Sequence, residues 1–430
     1  MRMIGPCTNW YRWLRRNASK IAPYTHILPK YVRQKFLGHL FDQDKFRLPI
    51  PLPYEPGLYP NGVNLVGYFK AENGLAQGVK LYAKALAKSN IPHMLINANI
   101  LHFLPQNDTA FDGKLRHKPN FAINVTHINP DQYQMVSELF SLSAFDKRYN
   151  IAVWLWELEN IPKEWLWVFP YLNEIWTPSQ FIRDAIRKVS PIPVTLIPYG
   201  IEAPVNVECD RTFFGLPKDA FIVLCMFDSN SYASRKNPLG ALEAFAKAFG
   251  RKHPRAIMVL KINNPKEEDL QKIKADVGES ENTIFFTKTL EKAQANALIN
   301  CCDVFISLHR SEGFGLVMAE AMLLGRAVIA TNWSANTEFM NEKVACMVDY
   351  QFVSTNGQYQ YDNTDQRWAD ANIDQAAYYL RRLYEDPLYY EQISNAGKAY
   401  IKEHLSPKNS AMAMEKRIWE ILRANCANMR

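Results

Sequence analysis

From residue 61 onward the sequence alternates short apolar runs with amphipathic stretches, and it does so twice. In the first series "GVNLVGYF", "HMLINA", "FAINVTHI", "NIAVWLW", "EIWTPS" and "VTLIPYG" read as strands. "VKLYAKALAKS" and "QFIRDAIRKV" read as helices among them, and "ENGLAQG" as a glycine-bearing turn. After "PYGIEAPV" the alternation restarts, with strands "FIVLCMFD", "AIMVLKIN", "NTIFFTK", "DVFISLH" and "AVIAT". The helices of this second series are "NPLGALEAFAKAFG", "KAQANALINCC" and "GLVMAEAMLLG". Strands that alternate with helices form parallel sheets covered on both faces. The expectation is an α/β protein with two Rossmann-like, doubly wound domains, 61–200 and 201–405, facing a cleft. A final helix, 406–430, is expected to pack back on the first domain. Ligands in such folds bind at the carboxyl ends of the strands, so the chemistry belongs in the loops there.

Residues 1–60 lie outside this pattern. The formal net charge is +7, and residues 1–50 hold ten Lys/Arg against Asp42 and Asp44, so the excess resides in that segment. In "NWYRWLRRNASK", Trp10 and Trp13 alternate with Arg12, Arg15 and Arg16. Indole favours a membrane interface and each basic residue adds about 1 kcal/mol at an anionic surface. An anionic membrane surface is therefore one expected partner, and a solvated extension the competing reading. The segment has no nucleic-acid module. "RLPIPLPYEPGLYP" (47–60) reads as a linker. Seven scattered cysteines without a CxxC, and no signal-length or membrane-spanning apolar run, place the protein in the cytoplasm, peripheral on the inner membrane face if the basic segment binds there.

The most informative stretch is "SEGFGLVMAEAM" (311–322). Glycines 313 and 315 let backbone approach a ligand, and the helix that follows presents unpaired N–H groups suited to a phosphate. Glu312 precedes that helix, and Glu320 lies inside its apolar run, roughly 7 to 12 Å away at 1.5 Å per residue. One carboxylate could grip a sugar and the other a ribose, with a diphosphate between them. The plainer alternatives are a loop acid at 312 and a lysine-paired acid at 320. There is no GxGxxG or GxxxxGK[ST]. Asp42-Gln43-Asp44 is the one DxD and no His/Cys cluster has ligand spacing, so no metal or other cofactor is expected.

"EGFGLVMAEAMLLGRAVIAT" resembles the E-x7-E motif of retaining GT-B glycosyltransferases, the family 4-like group. "FDSNSYASRKNPLGALEAFAKAF", "NLVGYFKAENGLAQGVKLYAKAL" and "VWLWELENIPKEW" with "EIWTPSQFIRDA" are similar to that group in order and spacing, over roughly residues 61–425. The resemblance implies that Glu312 holds donor-sugar hydroxyls and Glu320 the ribose, with amides of Phe314, Gly315 and Leu316 on the sugar or diphosphate. It further implies Lys236 on the diphosphate, Gly74 near the reaction centre and His127 beside the transferred sugar. An arginine usual upstream of the lysine is replaced by Asp228-Ser229-Asn230-Ser231, which leaves Arg235 and Asn230 as candidates on the donor. Ser334 and Asn336 are further donor candidates, Thr337 a capping residue, and Glu157 and Trp156 acceptor-side candidates.

The implied activity is retaining, metal-independent transfer of a hexose from a nucleotide sugar to a glycan or lipid-linked glycan. GDP-mannose is favoured, UDP- or dTDP-sugars are alternatives, and a polysaccharide or lipopolysaccharide product is implied. The cleft closes with residues near 200 as hinge and the last helix as strap. A sugar-nucleotide epimerase and a catalytically silent membrane scaffold are the competing classes.

Overall fold

The computed structural model describes residues 50–98, 106–133, 144–359, 361 and 366–427. The Asp42-Gln43-Asp44 element and the basic segment lie outside them. The first unit is a seven-stranded sheet in the order β3-β2-β1-β4-β5-β6-β7. Its strands are β1 (Val63–Gly67), β2 (His93–Asn97), β3 (Leu115–Arg116), β4 (Ile123–Thr126), β5 (Tyr149–Val153), β6 (Glu174–Thr177) and β7 (Val194–Leu196). The second is a six-stranded sheet in the order β10-β9-β8-β11-β12-β13. It comprises β8 (Phe221–Asp228), β9 (Ala256–Asn263), β10 (Thr283–Phe286), β11 (Val304–Ser307), β12 (Ala327–Thr331) and β13 (Cys346–Val348). Every pairing in both sheets is parallel. Two Rossmann-like domains are thus present, as the alternation predicts. Strand order reverses between β1 and β4 and again between β8 and β11, and such switch points open a crevice for ligands.

Ten α-helices flank the sheets among the described residues: α1 (Gly74–Leu86), α2 (Gln180–Arg187), α3 (Ala233–Lys236), α4 (Pro238–Phe249), α5 (Glu267–Val277), α6 (Lys292–Cys301), α7 (Leu316–Leu323), α8 (Ile373–Glu385), α9 (Pro387–His404) and α10 (Pro407–Ala427). Asn73 caps α1, so the "ENGLAQG" turn is in fact the helix start. Gly78 belongs there because a Cβ would stand 2.4 Å from Tyr199 Oη and 2.7 Å from His127 Nε2.

The chain crosses between units at two adjacent points. Ile201 N donates to Leu405 O at 2.7 Å, and a Cβ on Gly200 would stand 2.3 Å from Pro407 Cα. Past this crossing α10 returns to the first unit. Arg417 meets the buried Glu174 of β6 through two hydrogen bonds of 2.9 and 2.7 Å. Met414, Ile418 and Ile421 enter an apolar cluster that also holds Leu81 and Leu86 of α1. Fully burying a side chain such as Ile418 stabilises by about 1.5–3 kcal/mol.

Two features depart from the sequence reading. The stretch 50–60 is not a free linker: Leu52 N bonds Asp146 Oδ1 at 2.7 Å and Tyr54 packs edge-on against Tyr149. An antiparallel hairpin, β14 (Tyr350–Ser354) with β15 (Arg367–Ala371), was not anticipated. It crosses to the first unit, where Tyr359 and Trp368 join Trp154, Trp156 and Trp165 in one cluster. Gln366 Nε2 donates to Asn160 O at 2.7 Å, and Arg367 pairs with Glu159 at 2.7 Å.

Candidate active site

The loop 308–315 leaves β11 at the switch point of the second sheet and ends on Gly315, whose φ of +94° needs glycine. No side chain caps α7, which starts at Leu316. The first backbone N–H groups of that helix therefore have no intrahelical partner, and such a terminus suits an anion.

Facing the loop, the short α3 at the end of β8 delivers two cations to Glu312. Lys236 Nζ is ion-paired with its carboxylate, and Arg235 Nη1 lies 3.4 Å from the same oxygen. Arg235 points inward, 2% exposed. Its Nη1 donates to Ser311 O at 2.7 Å, and Nη2 stands 3.8 Å from Glu157 Oε1. Glu157 in turn accepts from Tyr359 Oη at 2.7 Å. Two carboxylates, two cations and a phenol thus meet where the two units touch.

Burial pushes the Glu312 carboxyl up, but Lys236, Arg235 and His309 outweigh it and hold it at about 2. Burial, with help from Arg235, pulls Lys236 below its ordinary value against the attraction of Glu312. A carboxyl lowered from 4.5 to about 2 stabilises the fold above pH 4.5 and loses that contribution as pH falls toward 2. Denaturant titrations of wild type and Glu312→Gln should therefore differ by a constant amount at neutral pH. The difference should shrink below about pH 4.5.

Glu320 is 2% exposed. Lys292, the first residue of α6, pairs with its Oε1 at 2.6 Å, while its Oε2 has no hydrogen-bond partner. The lysine-paired alternative is therefore realised for one oxygen and not for the other. A buried acceptor left unmade costs about 1–3 kcal/mol, so the second oxygen is primed for a donor such as a hydroxyl.

The other predicted residues divide. Phe314 meets Tyr199 edge-on and Phe339 at a tilt, with ring centroids 5.1 and 5.5 Å apart. Leu316 is half-buried against the core. Ser334, at φ +73°, accepts from Glu312 N at 2.8 Å and so positions the carboxylate. His127 is not on an open surface: it is fully buried, and its Nε2 is bonded to Tyr199 Oη at 2.7 Å. Burial lowers it to about 4, so it is neutral at physiological pH and reaches the loop only through Tyr199 and Phe314. Trp156 is corrected to a core residue, 3% exposed, with Nε1 on Asn160 O at 2.8 Å. Asn336 is likewise structural. It is buried, with Oδ1 on His309 Nε2 at 3.0 Å and Nδ2 on Thr331 O at 3.0 Å. Gly74 and Asn230 are exposed at strand ends, Gly74 opening α1 and Asn230 in the turn after β8. Thr337 bonds back to Ser334 O at 2.8 Å.

Sequence reasoning missed Lys292, Tyr359 and the seam itself. Ser179 Oγ donates to Gly313 O at 2.7 Å. Glu338 accepts from Gln180 N and Phe181 N at 2.8 and 2.9 Å, capping α2 across the seam. A Cβ on Gly313 would meet Trp156 O at 2.7 Å and Ile182 Cδ1 at 3.2 Å. Because the nearest atom is backbone, Gly313→Ala should force the units apart and lower unfolding free energy by about 1–3 kcal/mol, read by urea denaturation.

With this geometry in view, residues 210–400 match the family model "Glycosyl transferases group 1". None of the curated proteins compared matches significantly. HepE from Anabaena, solved with UDP and glucose, is similar at 12% identity and TM-score 0.61, covering 85% of this chain and 100% of its own. The sucrose-phosphate synthase of Thermosynechococcus elongatus is similar at 14% identity and TM-score 0.62, covering 85% and 100%. A glycosyltransferase from Rickettsia africae is similar at 15% identity and TM-score 0.62, covering 85% and 99%. At such identities these likenesses speak for the fold, which is GT-B. The chain thus has the GT-B fold, and residues 210–400 of its second unit are similar to the group 1 glycosyl transferases.

Proposed function

We propose that the protein is a retaining glycosyltransferase that moves a hexose from a nucleotide sugar to a hydroxyl of a glycan or lipid-linked glycan. The observation that carries this reading is the pairing of Glu312 and Lys236 at one end of α7 with Glu320 Oε2, buried and unpartnered, further along it. In this reading Glu320 takes a ribose hydroxyl, the uncapped N-terminus of α7 and Lys236 take the diphosphate, and Glu312 takes the sugar.

The bond from the anomeric carbon to the phosphate oxygen breaks as the acceptor oxygen bonds to that carbon on the same face. The acceptor proton passes to the departing phosphate. Negative charge grows on the diphosphate, where Lys236 and the helix terminus supply preorganised stabilisation. Metal-independent transfer follows as part of the proposal. Glu157, linked to Arg235 and Tyr359, is the acceptor-side carboxylate, and Trp156 supports it from the core. The favoured donor is GDP-mannose; the UDP and UDP-glucose bound by HepE keep UDP-sugars in the field. No described helix is long and apolar enough to cross a membrane. A peripheral location would rest on the basic segment 1–50.

A thermal-shift screen with GDP-, UDP- and dTDP-sugars, followed by acceptor-dependent nucleotide release, tests the reading. Stabilisation by at least one donor and release only with an acceptor are expected. Isomerisation without an acceptor would mark an epimerase, and donor binding without turnover on any acceptor would mark a scaffold.

A further inference from the structure

One buried cation has no role in the site as described. Lys261 of β9 is 1% exposed. Its Nζ donates to Asn263 Oδ1 and stands 3.5 Å from Ile262 O. The carboxylate whose field reaches it is Asp228, at the end of β8. That carboxylate is already occupied, accepting from Asn230 N and Asn264 Nδ2 at 2.8 Å each. Burial pulls the Lys261 ammonium down to about 8, as befits a group without a close counterion.

Its direction follows from strand alternation. Leu260 and Ile262 enter the core with Ala241 of α4 and Leu380 of α8. Val259 enters the opposite core, with Met318 and Ala319 of α7. Lys261 shares a face with Val259, and its ladder neighbours Met226 and Phe286 pack against that same cluster. The ammonium therefore lies on the α6–α7 side of the sheet, the side that carries Lys292 and Glu320, near the carboxyl ends of the strands.

We propose that Lys261 is a second cationic contact for the diphosphate of the nucleotide sugar, alongside Lys236. The assignment rests on the function proposed above. A buried ammonium whose one nearby carboxylate, Asp228, bonds other donors is costly, and a diphosphate supplies the direct counter-charge that Asp228 does not. Charge-assisted bonds to phosphate are among the stronger ones available.

The test is calorimetric titration of wild type and Lys261→Met with UDP, GDP and dTDP and with the matching nucleosides. Diphosphate affinity should fall about 10–100-fold, as for loss of a hydrogen bond to a charged group. Nucleoside affinity should not change, and thermal stability should hold or rise, since methionine fills the space without a buried charge. If Lys261→Met does not fold, Lys261→Gln carries the same comparison. Unchanged diphosphate affinity overturns the assignment, and so does an equal loss for the nucleoside. A wild type that binds none of the diphosphates overturns the function proposed and this role with it, which separates the two failures.

Discussion

Replacing Lys236 with methionine should lower the rate of glycosyl transfer by about 10²–10³, the usual effect of removing one preorganised donor from developing charge. The donor sugar used is whichever one the thermal-shift screen selects. The fold should survive, because Arg235 remains 3.4 Å from Glu312 and keeps that carboxylate paired. Arginine at position 236 should not restore the rate. A planar, delocalised guanidinium cannot place its charge where the compact ammonium of Lys236 meets Glu312. The readout is kcat/KM for nucleotide release in the presence of acceptor. An unchanged value in Lys236→Met would remove this residue from the leaving-group side.

The second large effect concerns stability. Glu174 is fully buried, and it accepts from Tyr149, Trp176 and Thr195 at 3.0, 3.0 and 2.6 Å besides the Arg417 fork. Arg417→Met leaves that carboxylate with neutral donors alone. Breaking a buried pair from one side costs about 3–5 kcal/mol. Urea denaturation should show this loss, and limited proteolysis should cut first within Pro407–Ala427. Adding Glu174→Gln to Arg417→Met should restore part of the stability, because the uncompensated charge is gone. If the double variant is no better than the single, packing of α10 rather than the ion pair holds it in place.

Much of the fold could be read from the sequence because parallel strands and their crossover helices are local signals. "FIVLCMFD", "DVFISLH" and "AVIAT" each form a strand of the second sheet. The hairpin at 350–371 escaped because its two strands pair across the long connection from Thr355 to Gln366, whose Asn356-Gly357 turn lies at one end and does not join them directly. In the site, Glu320 was legible as a charge in an apolar run. Lys261 in "AIMVLKIN" carries the same signal and could have been found the same way. The direction of Arg235 was not legible, because it is set by tertiary contacts with Ser311, Glu157 and Glu312 that lie far away in the sequence. His127, which the resemblance places beside the transferred sugar, is enclosed by Tyr82, Tyr199 and Gly78, neighbours that its place at the end of an apolar strand does not reveal.

The central claim is that a nucleotide sugar lies along α7 with its ribose on Glu320. Calorimetric titration of wild type and Glu320→Ala with the selected nucleotide sugar tests it most directly. The account predicts measurable binding by wild type and an affinity about 10–100-fold lower in the variant, the effect of losing a charge-assisted hydrogen bond. Equal affinity in the two proteins would contradict it.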